Sequence, residues 1–170
     1  MPRIAFITGA NGASGNALLE HLVDRTTSEE WSRIVVTSRS PLRKTYTDAR
    51  VHYVQLDFQQ RPGELIDLMA NSCADVTHAF FASYLHTDNF GDLNKINTTL
   101  FENFLLALTS VARGLKRCVL QTDSMHYGLH LAPVPTPCRE DDVRRGDPGD
   151  NFCHAQEDFL ALLQTNQDWT

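Results

Sequence analysis

No apolar run in the 170-residue sequence approaches the length that a membrane-spanning helix needs. No secretory leader is expected either, because the apolar run Ile4-Ala5-Phe6-Ile7 is short and leads straight into glycine. Clustered cations are scarce: beyond Arg39, Arg43 and Lys44 none group together, and 15 Lys and Arg against 21 Asp and Glu leave a formal charge of -6. That balance argues against a nucleic-acid partner. Cysteine is sparse, and Cys73, Cys118, Cys138 and Cys153 lack the paired spacing of zinc or redox sites. They read as reduced, intracellular thiols. His21, His52, His78 and His86 are scattered singly and form no metal set. Repeats and low-complexity segments are missing too. What remains is a cytoplasmic, metal-free globular chain, one domain over 1–170, long enough to bury a proper core.

What is present is organised around Thr8-Gly9-Ala10-Asn11-Gly12-Ala13-Ser14-Gly15. An apolar run precedes it, and Asn16-Ala17-Leu18-Leu19-Glu20-His21-Leu22-Val23 follows, so the order is strand, glycine turn, helix. Gly9 permits a tight turn, Gly12 lets backbone approach a pyrophosphate, and Gly15 lets the helix pack on the strand. The helix N-terminus would offer its free N–H groups and positive dipole to the phosphates.

The rest of the chain alternates strands and helices. Strands are expected at Ile34–Thr37, Val51–Leu56, Thr77–Ala82 and Arg117–Gln121. Helices are expected from about Ser14 to Asp24, Pro62 to Asn71, Leu93 to Arg113 and Phe152 to Leu163. Leu65, Ile66, Leu68 and Met69 should share one helix face, as should Ile96, Leu100, Phe104, Leu105 and Leu108. This pattern predicts an α/β fold of the Rossmann type, a doubly wound parallel sheet with helices on both faces. Between Asp123 and Gly149 the sequence becomes Pro-rich and charged, reading as a long functional loop, with Glu140, Asp141 and Asp142 on a solvated face. Asp168-Trp169-Thr170 reads as the start of a sixth strand.

A dinucleotide site of the NAD type has an acidic residue near the end of its second strand. Here Ser38-Arg39-Ser40 stands in that place. A guanidinium suits a 2′-phosphate through charge-assisted hydrogen bonds, so NADP(H) is the expected cofactor. Asp57 and Phe58, ending strand three, should flank the adenine, and Ala82 and Ser83, ending strand four, should line the cofactor path.

The Gly-x-x-Gly-x-x-Gly spacing of Gly9, Gly12 and Gly15 resembles the extended or atypical short-chain dehydrogenase/reductases. Further stretches resemble the progesterone 5β-reductase/iridoid synthase-like family and its fungal members. They are Ser38-Arg39-Ser40-Pro41, Leu56-Asp57-Phe58, Thr77-His78-Ala79-Phe80-Phe81, Ile96-Asn97 with Phe101-Glu102-Asn103, Leu120-Gln121-Thr122, His126-Tyr127-Gly128, and Asn151-Phe152 with Glu157-Asp158. The resemblance implies hydride delivery from NADPH to an activated C=C bond. It implies cofactor contacts from Gly9, Asn11, Gly12, Ala13, Ser14, Gly15, Ser38, Arg39, Ser40, Asp57, Phe58, Ala82, Ser83 and Thr122. Relative to that family the chain is short, and the missing part would be the one that closes over the substrate.

The family's catalytic lysine and tyrosine are both replaced. Met125 stands at the lysine position, and Cys153 and His154 stand where the tyrosine belongs, His154 being the better match. Such a pair supplies a proton and a charge to the oxyanion formed as hydride adds. Met125 supplies neither, whereas His154 retains an acid–base group, and Tyr127 is near enough in sequence to substitute. Three readings stay open. One is an NADPH-dependent reductase of an enone or enal, the second a non-redox isomerase or cyclase using His154, the third a non-catalytic NADP(H) sensor. The first two suit secondary metabolism. The expected partners are a small apolar carbonyl substrate and, in a homodimer, a second copy of the chain.

Overall fold

The computed structural model describes residues 2–147, 149–165 and 167–170. Five parallel strands form one sheet in the order β3-β2-β1-β4-β5: β1 Arg3–Ile7, β2 Trp31–Ser38, β3 Val51–Gln55, β4 His78–Phe81 and β5 Arg117–Leu120. The helices are α1 Ala13–Arg25, α2 Pro62–Cys73, α3 Phe90–Val111 and α4 Phe152–Gln164, with a 3-10 turn at Ser124–Tyr127. The chain winds outward from β1 to β3, then returns to β4 on the other side of β1. The strand order therefore switches between β1 and β4, where a crevice opens beyond the carboxyl ends of the strands.

Both faces of the central strands are covered, which is why they read as unbroken apolar runs. Ala5, Ile7, Ile34 and Val36 pack with Leu19 and Leu22 of α1 on one side. Phe6 and Val35, one residue out of phase, point to the other side. There they join an aromatic group of Phe58, Phe81, Phe101 and Phe104, every ring within 6.5 Å of another. Burying each such ring contributes about 1.5–3 kcal/mol. Among the described residues no helix is long and apolar enough to cross a membrane.

The elements agree with the expected pattern, with local corrections. β2 begins earlier, at Trp31, whose ring packs against His78 and Phe80 and under the Arg3 guanidinium. The buried face of α2 is Leu65, Met69 and Cys73, and Leu68 is turned to solvent. That spacing of four follows one helical stripe, which Leu68 leaves. Ile96 is only half-buried, and Asn97 occupies the buried stripe of α3 beside it. The final residue makes both hydrogen bonds of a parallel pairing with β5: Thr170 N donates to Lys116 O, and Cys118 N donates to Thr170 O, each at 2.9 Å. No strand is assigned there, yet the backbone pairs as a sixth strand would at its first contact.

Candidate functional site

Glycine fixes the turn between β1 and α1 at two places where a side chain has no room. Gly9 has φ of +66°, and a Cβ there would lie 2.4 Å from the Ala82 carbonyl oxygen. On Gly15 it would lie 2.3 Å from the Gly9 carbonyl oxygen, because α1 presses on the turn it follows. Main-chain bonds suspend the turn between strands: Thr8 N donates to Phe80 O at 3.0 Å and Ala10 N to Thr37 O at 3.1 Å. Gly12 is the N-cap of α1, and no side chain caps that helix. The first-turn amides and the positive end of the dipole are left for an anion. A pyrophosphate fits this cradle, which any Cβ at Gly9 or Gly15 would destroy.

On the β2 side of the turn lies a cavity of 210 Å³, walled by Asn11, Gly12, Ala13, Asn16, Arg43, Lys44 and Tyr46 among others. Asn11 organises it. Its Nδ2 lies 3.0 Å from Pro41 O and 3.2 Å from Ser40 Oγ, and its Oδ1 accepts from Arg43 N at 2.9 Å. Tyr53 donates from the far side to Ser40 O at 2.8 Å, and Gln55 Nε2 donates to Arg39 O at 2.8 Å. The loop at the tip of β2 is therefore rigidly held, while the Arg39 side chain is exposed. Arg39 stands outside the cavity wall, which Arg43 and Lys44 provide instead. Lys44 is drawn to Glu20, Nζ to Oε1 2.6 Å, a contact that raises the lysine pKa and lowers that of the carboxyl. Among the described residues Arg39 forms no ion pair.

On the β5 side a second cavity of 170 Å³ opens between Ser14, Ala82, Ser83, Tyr84, Gln121, Thr122, Asp123, Phe152, Cys153 and Gln156. Ser14, Ala82, Ser83 and Thr122, expected from the sequence to meet a cofactor, lie together on its wall. Asp57 is half-buried at the end of β3, where its carboxylate accepts from Gln59 N at 3.0 Å. Phe58 requires a correction: its ring is 3 % exposed and packs on Phe81 and Phe104 inside the core. Only its main chain can face an adenine.

None of the three catalytic candidates lines this second cavity. Met125 packs in a small apolar group with Leu93, Phe152 and Cys153. The Tyr127 ring stands edge-on to His126, 5.1 Å between centroids. His154 is half-buried, with Nε2 2.8 Å from the His126 carbonyl oxygen. A carbonyl only accepts, so that nitrogen carries a proton and is already engaged. At the start of α4 it is Cys153, one residue earlier, that faces the cavity. Burial pushes its thiol up to about 12, so it stays protonated and inert at neutral pH.

The segment after β5 is tied back onto α4. Asn151, buried, caps α4 through Cys153 N at 3.0 Å and donates to Met125 O at 2.6 Å. Arg144 grips Glu157 at 2.8 Å and Asp158 at 2.6 Å, and His126 Nδ1 approaches Glu157 at 3.1 Å. Glu140, Asp141 and Asp142 are exposed.

Three residues at or beside the second cavity are given no role by the sequence: Asn97, Gln156 and Tyr84. Asn97 is fully buried; its side chain accepts from Leu85 N at 2.9 Å and donates to Leu85 O at 2.8 Å and Leu93 O at 3.0 Å. Gln156, also buried, donates to Asn97 O at 2.7 Å. This bracket pins the chain just after β4 and sets Tyr84 on the cavity rim. A polar residue within the apolar stripe of α3 was the available signal for Asn97. Tyr84 had only its place just past a strand end to mark it.

With this geometry in view, comparison with known proteins is informative. A PRISE-like Rossmann-fold domain matches residues 5–170. The chain is 47 % identical over its whole length to the short chain dehydrogenase gsfE of Penicillium aethiopicum, covering 45 % of that protein. It is 27 % identical to a 3-oxo-Delta(4,5)-steroid 5-beta-reductase of Arabidopsis thaliana, over 92 % of this chain and 41 % of the reductase. The chain thus spans less than half the length of these curated relatives. Among solved structures, a short-chain dehydrogenase/reductase superfamily protein of Agrobacterium tumefaciens with bound NAD superposes with a TM-score of 0.71. That match covers 98 % of this chain and 47 % of the other, at 14 % identity.

Proposed function

This chain belongs to the PRISE-like Rossmann-fold family, and from that premise we propose that it is an NADPH-dependent reductase of an activated C=C bond in a small apolar carbonyl compound. The observation that carries the reading is the glycine turn, a pyrophosphate cradle that no side chain at Gly9 or Gly15 would allow. The two cavities lie on either side of it, as an extended dinucleotide requires. The cation-bearing loop at the tip of β2, with Arg39 exposed and no acid in place, favours a 2′-phosphate over a free ribose hydroxyl. The name of the Arabidopsis relative describes a 3-oxo compound conjugated to a C=C bond, the substrate class proposed here. When bound, the dihydronicotinamide supplies hydride. The uncapped start of α1 would hold the pyrophosphate, the residues at the tip of β2 would meet the ribose end, and those between β4, β5 and α4 would surround the reacting end.

Calorimetry with NADPH, NADP+ and NADH, alongside a panel of enones and enals, tests the reading. Micromolar NADPH binding with weaker NADH binding, and cofactor oxidation by at least one enone, is the expected result. Absence of nucleotide binding overturns it. A second reading, a nucleotide-responsive binding protein without catalysis, is favoured by one observation: Met125, Tyr127 and His154 all lie outside the cavity wall. Tight NADPH binding with no turnover of any enone or enal would support that reading instead.

A further inference from the structure

The cavity on the β5 side has a wall of Ser, Gln, Thr and Asp side chains, one inert thiol, and one phenol. The phenol is Tyr84. Its main chain is held through Leu85 by the buried Asn97, and Asn97 is held in turn by Gln156. Its ring lies 5.9 Å from that of Phe152, and the residue, 44 % exposed, stands at the cavity rim. From there a polar chain runs to solvent: Tyr84 Oη is 3.4 Å from His86 Nδ1, and His86 Nε2 is 3.3 Å from Asp88 Oδ1. Both His86 and Asp88 are open to water. A group that releases one proton per turnover can regain it along such a route.

We propose that Tyr84 is the proton donor of this cavity, giving its O–H hydrogen to the oxygen of a conjugated carbonyl substrate and regaining it from water through His86 and Asp88. The proposal rests on the reductase reading. In the step, the substrate β-carbon accepts a hydride from the dihydronicotinamide and forms a C–H bond. The C=C electron pair moves to join the α-carbon to the carbonyl carbon, and the C=O π pair goes to oxygen. That oxygen takes the proton as the Tyr84 O–H bond breaks, giving an enol. The substrate gains two electrons and the nicotinamide loses two. The phenolate takes a proton from His86, water replenishes His86, and the enol tautomerises to the saturated carbonyl compound. Asp123 on the same wall is engaged elsewhere, its carboxylate accepting from Met125 N at 2.7 Å. Desolvation, with Asp123 and Cys153 adding to it, raises the Tyr84 pKa and keeps the phenol in its acid form.

The test uses the full chain and its Tyr84→Phe variant, which keeps the ring against Phe152. The probe is 4-(dimethylamino)cinnamaldehyde, an enal whose visible band moves to the red when its oxygen accepts a hydrogen bond. It is titrated with and without NADP+, so no hydride is available and turnover plays no part. A red shift in the wild type that disappears in Tyr84→Phe is the expected result. No shift in the wild type, or an equal shift in both proteins, overturns the proposal. With NADPH and enals, Tyr84→Phe should lower kcat by about 100-fold, at the low end of general-acid effects, and His86→Ala should slow turnover while leaving the spectral shift intact. A Tyr84→Phe kcat within twofold of wild type also overturns it. Failure of the reductase reading looks different: the wild type then oxidises no NADPH with any enal, whatever the probe shows.

Discussion

The two cavities beside the glycine turn are built by different means. On the β2 side the frame is set by main chain and the bonds that tie it: the turn itself, Asn11 reaching into the loop at the tip of β2, and Tyr53 holding that loop from behind. On the β5 side the wall draws residues from four separate places, the start of α1, the ends of β4 and β5 and the start of α4. A backbone-built site tolerates almost no substitution at its glycines, because the clash is with main chain that cannot rotate away. A side-chain-built site can exchange its reactive groups while its frame persists. Met125 and His154, which the sequence resemblance matches to the family's catalytic pair, serve packing or hydrogen bonding beside the cavity.

The largest predicted effect breaks the backbone-built half. Gly9→Ala adds a left-handed residue and a contact at 2.4 Å, and should cost about 2–5 kcal/mol, summing backbone and overpacking terms. The urea midpoint measures the loss, and calorimetry should show that NADPH binding goes with it. Next, Asn97→Ala leaves Leu85 N–H and C=O without partners, at a cost of about 1–3 kcal/mol. Exchange of the Leu85 amide should accelerate, while the preference for NADPH over NADH, set on the β2 side, stays near wild type. Arg39→Ala should weaken NADPH about 10-fold or more, the worth of a charge-assisted contact, and leave NADH affinity unchanged. Equal losses for both nucleotides would remove Arg39 from the 2′-phosphate and point to Arg43. His154→Ala should lower stability by about 1 kcal/mol through the lost bond to His126 O. Its effect on turnover should stay well below that of Tyr84→Phe; a loss of equal size would return His154 to the chemistry.

A pH experiment reads the interior of both halves. Cys73, Cys118 and Cys153 are each pushed up to about 12 by burial. Thiols whose pKa is raised by folding contribute stability that is complete below the unfolded value, about 8.5, and lost as pH rises through the folded one. Stability should therefore decline from about pH 9 upward, as denaturant midpoints will show. At pH 8 iodoacetamide should modify Cys138, half-exposed in the loop after β5, and spare the other three.

The parallel sheet and the glycine turn are legible in the sequence because each leaves a local trace. Buried parallel strands read as β-branched runs, and a turn with forbidden Cβ positions reads as glycine. Phe58 was misplaced because its position past a strand end says nothing about which way the ring turns; the aromatic group around Phe104 decides that. Leu68 was misplaced because adjacent apolar residues obscure which helical stripe is buried. His154 and Cys153 are neighbours, and the choice of which one faces the cavity depends on the Asn151 cap and on the His126 carbonyl contacting His154, a residue 28 positions away in sequence. Tyr84 depends on Asn97, twelve residues from the amide it pins. Such contacts join segments with no shared periodicity, so no pattern along the chain announces them.

The missing side-chain cap on α1 also has a thermodynamic side. A capping Ser or Asp at Gly12 would stabilise the helix by about a few tenths of a kcal/mol in every molecule, liganded or not. By leaving those amides free, the fold makes part of its own stability conditional on an anion in solution. At a ligand concentration 100 times its Kd, mass action adds about 2.7 kcal/mol to the folded state. Melting temperature should then rise with nucleotide concentration, and resistance to proteolysis in the cell should follow the size of the nucleotide pool.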